Sequence, residues 1–216
     1  SREDSRRASL AGMTSKTQSL TLCRESRNYW IKQIFKFLWY SIFRYYNALR
    51  SFIAIELPEA VKAALSEFQQ ELQKCGADVR WVKPDSIHLT LKFLGEVQDK
   101  AVEAITKAVE GTCKEYSTFT VEVRGTGVFP NNRSPRVLWA GVYGSDLFTG
   151  LQNEIEDGMA LRGFKKEDRR FSPHLTVGRM RSLAGKEALV EKLGLLKDRT
   201  FGSIAVTSVA LMKSDL

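Results

Sequence analysis

Residues 86–95 read SIHLTLKFLG and residues 172–180 read SPHLTVGRM. The chain has only two histidines, His88 and His174, and both stand in the pattern His-x-Thr-apolar. Two unrelated structural histidines have no reason to share that pattern. One site built twice does.

Outward from the motifs the repetition continues. The two histidines are 86 residues apart, and the same offset carries SFIAIEL at residue 51 onto VLWAGVY at 137 without a gap. The first of these reads as a buried strand stopped by Pro58. Val61, Leu65, Phe68 and Leu72 recur at helical spacing over 59–74, and Val102, Ile105, Val109 and Cys113 over 98–114. TFTVEVRG at 118–125 reads as a strand, and FPNNRSPR at 129–136 as a turn-rich connection. In the second half, Leu147, Leu151, Ile155 and Met159 mark the matching helix. GKEALVEKLGLLKD gives another helix and FGSIAVTSVALM one more strand. The pattern predicts two copies of a strand, helix, strand, helix, strand module, an α+β arrangement with antiparallel sheets.

Composition narrows the class. With 43% apolar residues over 216 positions, a packed core is expected. The formal charge of +8 is lopsided: residues 1–48 hold nine Lys or Arg against three acids, and the remaining 168 hold 24 against 22. The basicity therefore says nothing about nucleic-acid binding by the main body. Cys23, Cys75 and Cys113 form no paired motif, so neither a disulfide framework nor a zinc site is expected, and a cytoplasmic setting fits. In the aromatic segment 29–46 the longest uncharged run, Phe37 to Phe43, is seven residues, far short of the roughly 20 needed to span a membrane.

Strand alternation assigns the motif side chains to faces. His88, Thr90 and Lys92 share one face of the first strand, and Leu89, Leu91 and Phe93 the other. Phe93 and Trp139 are expected in the core. Each motif then offers an imidazole beside a hydroxyl, and two such pairs facing one another suit a phosphoryl group. Thr90 and Thr176 can donate to its non-bridging oxygens, while His88 and His174 serve the attacking and leaving oxygens. An imidazole can take either role near neutrality. With no metal or other cofactor expected, an activated diester such as a 2′,3′-cyclic phosphate is the favoured substrate. Arg179 can neutralise phosphate, although strict alternation places it on the face opposite His174. Arg133 and Arg136, in the loop before the second module, are candidates for contact with further phosphates of a ligand or are simply solvated, and Phe129 is a candidate for stacking on a ring of the ligand.

Four blocks, RSFIAIELPEAV, VRWVKPDSIHLTLKFLGEV, GVFPNNRSPRVLWAGV and FSPHLTVGRM, occur in an order that resembles the LigT-like RNA 2′,3′-cyclic phosphodiesterases, also called 2′-5′ RNA ligases, of the two-histidine phosphoesterase superfamily. The resemblance runs from about residue 50 to the end of the sequence. It implies a bilobal pseudo-two-fold duplicate with a central active-site cleft, a monomer whose partner is RNA ending in a 2′,3′-cyclic phosphate. It further implies that His88 protonates the departing 3′ oxygen and His174 activates water, with Thr90 and Thr176 holding the phosphate. Ligation of tRNA-like halves, turnover of a small cyclic nucleotide, or non-catalytic binding of RNA ends are the alternatives. Family members typically start with Met where this chain has Leu49. Residues 1–48 are accordingly expected to be an extension to the 49–216 domain, either translated upstream sequence outside the native fold or a basic-aromatic arm for a membrane surface, RNA or another protein. Beyond Leu216 the resemblance implies a Pro/Gly-rich tail and a last strand.

Overall fold

The computed structural model describes residues 18–21 and 48–214. Within the region 1–48, β1 (Gln18–Thr21) and Ala48 at the start of β2 are described. The other expectations for that region fall outside the described residues. The main body then runs β2 (Ala48–Ile55), α1 (Glu59–Gln73), β3 (Val79–Trp81), a 3₁₀ turn at Pro84–Ser86, β4 (Leu89–Gln98), α2 (Asp99–Lys114) and β5 (Phe119–Phe129). The second half follows with β6 (Val137–Tyr143), α3 (Asp146–Ala160), β7 (His174–Met180), α4 (Lys186–Leu195), β8 (Thr200–Val206) and β9 (Ser208–Lys213).

The helices form where apolar periodicity places them. α1 buries Val61, Leu65, Phe68 and Leu72, as the spacing predicts, and adds Gln69. In α3 the buried set is Phe148, Leu151, Gln152, Ile155 and Met159; the expected Leu147 is 44% exposed and its neighbour Phe148 takes the inward position. FGSIAVTSVALM divides at Thr207 into two strands rather than one, because its halves pair in different sheets.

Two antiparallel sheets result, with strand orders β1-β9-β2-β4 and β3-β7-β6-β5-β8. These are the expected α+β fold's two antiparallel sheets with flanking helices, and the two sequence modules exchange elements between them. β5, the last strand of the first module, joins β6 in the second sheet, and β9 returns from the second module to pair with β2 in the first. Helices cross as well: α1 lies against β8, and α3 against α2 and β4. The first half thus contributes α1, β3 and β5 to the second sheet's layer and the second half α3 and β9 to the first's, and one apolar core runs through both. No helix among the described residues is long and apolar enough to cross a membrane.

Candidate active site

The two motif strands lie against each other, with Cα atoms of β4 and β7 within 8 Å. Their registers against β2 and β6 decide which side chains reach the space between them. Residues directly opposite in an antiparallel ladder share a face. Thr90 stands opposite Ala54, Lys92 opposite Ile53 and Phe93 opposite Phe52, so Leu91 is an extra residue on β4, a β-bulge. The bulge shifts everything after Thr90 by one position. Lys92 turns inward beside Ile53 and is 2% exposed, while Phe93 turns to the face of Phe52 and Thr90 and is 60% exposed. The expected sides of Lys92 and Phe93 are therefore reversed, because strict alternation assumes an unbroken ladder. A second irregularity between Phe93 and Gly95 uses Gly95 at φ 70°, a left-handed conformation open to glycine.

β7 repeats the device. Thr176 stands opposite Trp139, Gly178 opposite Leu138 and Arg179 opposite Val137, which leaves Val177 as the extra residue. Arg179 consequently joins the face of Trp139 and Thr176 instead of the opposite one. Trp139, expected in the core, is half-buried on this same face. Leu91 and Val177 keep the 86-residue offset, as do Phe93 and Arg179. The partner strands, however, correspond with an offset of 85: Ala54 answers to Trp139, one residue short of the ungapped alignment.

Both imidazoles are held by backbone and ring contacts. Phe52 stacks on His88 with ring centroids 4.4 Å apart and planes 24° from parallel. Burial pulls the His88 pKa below the usual 6.5, and a hydrogen bond to the Ser86 backbone acts in the other direction. His174 Nδ1 lies 2.7 Å from the Ser172 carbonyl oxygen. A carbonyl only accepts, so Nδ1 carries the hydrogen and Nε2 is the nitrogen left for a ligand. Phe129 meets His174 edge-on at 5.0 Å and Trp139 at 5.3 Å, which makes it a wall for His174.

The remaining expected residues divide. Arg136 is exposed just before β6, its backbone tied to Phe129 and Met180. Arg133 is exposed in the preceding turn, where its N–H donates to Asn131 Oδ1 and its carbonyl accepts from Lys186. Arg80 is a further basic group on this face. It stands directly opposite Arg179 across the β3–β7 ladder, and both are exposed. Like charges in that position repel, so an anionic ligand on this face relieves the pair. Nothing in VRWVKP marks Arg80 before the pairing of β3 with β7 is known. A hollow lined by Arg50, Ser51, Phe52, Phe93, Gly95 and Ser214 adjoins His88 on the Phe52 side. Among the described residues, no three His, Cys, Asp or Glu side chains cluster as metal ligands do.

Twinned His-x-Thr strands suit a phosphoryl group, and comparison with known proteins points to a phosphoesterase. The family described as LigT like Phosphoesterase matches residues 55–139 and 144–216. An RNA 2′,3′-cyclic phosphodiesterase of Methanothermobacter thermautotrophicus is 37% identical over 168 residues, 78% of this chain and 91% of that protein. Another, of Thermotoga maritima, is 36% identical over 146 residues, 67% of this chain and 78% of that protein. The crystal structure of E. coli LigT complexed with 3′-AMP is similar with a TM-score of 0.63 at 26% identity, covering 79% of this chain and 90% of that one. The chain belongs to the LigT-like phosphoesterase family.

Proposed function

We propose that this chain opens 2′,3′-cyclic phosphate ends of RNA by water, leaving a 2′-phosphate, through metal-independent acid–base catalysis by His88 and His174. The observation that carries the reading is the twinned His-x-Thr pair on adjoining strands β4 and β7, in a chain whose relatives at 37% and 36% identity bear the name of that activity.

The chemistry follows from the side chains. Water attacks phosphorus and gives a proton to His174 Nε2. The P–O3′ bond breaks, and the departing oxygen takes a proton from His88, so the product is a 2′-phosphomonoester beside a free 3′-hydroxyl. Thr90 and Thr176 donate to the non-bridging oxygens, and Arg179, with Arg80 beside it, faces their negative charge. Phe93, exposed next to Phe52, offers its ring to the nucleobase. Ring strain in the cyclic diester lowers the demand on the protein. Activity is expected to survive EDTA, and dependence on an added divalent ion contradicts the mechanism.

Two measurements test the roles. With the bridging 3′ oxygen replaced by sulfur, whose departure needs little help from an acid, His88→Ala is expected to recover far more of its lost rate than His174→Ala. Equal recovery, or recovery of His174→Ala alone, overturns the assignment. The pH profile tests the environment of His88. Its lowered pKa means that the second proton enters the histidine pair only below 6.5. On the acid side kcat/KM is therefore expected to fall with an apparent pKa under 6.5. In kcat the same limb lies higher, because bound phosphate favours imidazolium. A kcat/KM limb above 6.5 contradicts the buried setting of His88.

A further inference from the structure

Four polar residues are buried among the described ones: Ser51, Gln69, Lys92 and Gln152. Two of them are glutamines with parallel tasks. Gln69 on α1 donates from Nε2 to the Val177 carbonyl at 2.7 Å and to the Val82 carbonyl at 2.7 Å. Gln152 on α3 donates from Nε2 to the Leu91 carbonyl at 3.4 Å. Leu91 and Val177 are the extra residues of the two bulges. Each glutamine is 5% exposed or less. Each also comes from the opposite half of the sequence: the helix of the first module reaches the motif strand of the second, and the reverse.

A bulge leaves its extra residue out of the ladder with the strand it opposes, although on the β3 side the Val177 carbonyl also accepts the Val82 N–H at 3.1 Å, and a strand returned to regular register points every later side chain to the other face. Here the side chains after the bulges are Phe93 and Arg179. We propose that Gln152 and Gln69 are positioning residues, which pin the two bulges from across the pseudo-two-fold and thereby keep Phe93 and Arg179 turned into the cleft. Catalytic geometry in each half depends on a helix of the other. The inference rests on the reading of Phe93 and Arg179 as substrate contacts given above.

Methionine matches glutamine in length and lacks the amide, so Gln69→Met and Gln152→Met remove the donor and keep the volume. The test is steady-state kinetics on a dinucleotide with a 2′,3′-cyclic phosphate, with folding of each variant checked by circular dichroism. Gln69→Met is expected to lower kcat by on the order of 10- to 100-fold with little change in KM, since a misplaced group of this kind costs up to about 10²-fold. Gln152→Met is expected to raise KM about as much as Phe93→Ala does. In the double variants, Gln69→Met adds nothing to Arg179→Ala, and Gln152→Met adds nothing to Phe93→Ala, whereas the crossed pairs multiply.

Losses that multiply within the matched pairs overturn the proposal, as do unchanged kinetics in both methionine variants. If one of the two does not fold, the other decides. Failure of both to fold makes the glutamines purely structural and also overturns it. Wild-type constants in Arg179→Ala and Phe93→Ala instead remove the reading of the cleft contacts on which the proposal stands, an outcome distinct from multiplying losses.

Discussion

Replacing His88 or His174 by alanine is expected to lower kcat/KM on an RNA 2′,3′-cyclic phosphate by about 10²- to 10⁴-fold each, the usual worth of positioned acid–base catalysis. The loss falls on kcat, because in the proposed mechanism the two imidazoles act in the proton transfers and the exposed ring of Phe93 carries the ground-state binding. The double variant is expected to lose less than the product of the two single losses, since an acid and a base acting in one displacement fail together. Fold should be little affected. His174 is half-buried at the start of β7, and its Nδ1 bond goes to the nearby Ser172 carbonyl; His88 lies ahead of β4 with Phe52 stacked on it. Single-turnover assays with purified variants, alongside their thermal midpoints, check both statements. Near-wild-type turnover in either variant removes that histidine from the mechanism.

The second large effect lies beneath the site. Lys92, turned inward by the bulge, places its ammonium 2.6 Å from Glu156 Oε1 on α3 and 2.9 Å from the Lys165 carbonyl. The same carboxylate oxygen accepts the Glu167 N–H at 2.8 Å. One buried contact thus ties β4, α3 and the loop leading to the second motif. The Lys92 side chain is fully buried and that of Glu156 is 12% exposed. Glu156→Ala leaves the ammonium without its counter-charge, and breaking a buried pair from one side typically costs about 3–5 kcal/mol. At roughly 2–4 °C per kcal/mol for a fold of this size, the thermal midpoint should drop by roughly 6–20 °C. Lys92→Met combined with Glu156→Leu is expected to recover most of that loss, since two apolar groups need no partner. A midpoint within about 2 °C of wild type after Glu156→Ala, less than the shift from about 1 kcal/mol, shows that the pair carries little stability.

How much of this was written in the sequence depends on the range of each signal. Helical and strand periodicity is local, and it located α1, α2, α3, β2, β6 and both motif strands. The duplicated His-x-Thr pattern was equally local and brought the candidate histidines and threonines into view. Which layer an element joins is a matter of distant packing. TFTVEVRG carries no mark that sends β5 to the second sheet, and α1 and α3 have the same amphipathic pattern whichever sheet they cover. The bulges were hidden for a different reason. Period-two alternation holds only for an unbroken ladder, so one extra residue at Leu91 and one at Val177 reversed the assignments of Lys92, Phe93 and Arg179. The ungapped 86-residue match concealed the same slip, since β6 answers β2 with an offset of 85. Gln69 and Gln152 were legible only as polar positions within apolar helix stripes, a weak sign of a buried task.

The central claim, that two imidazoles act on one cyclic phosphate without a metal, is tested most directly by following a short oligoribonucleotide with a 2′,3′-cyclic end by phosphorus NMR in the presence of EDTA. The proposed mechanism predicts conversion to the 2′-phosphate by the wild-type chain and essentially none by His88→Ala or His174→Ala. A 3′-phosphate product, or equal conversion by either alanine variant, contradicts it.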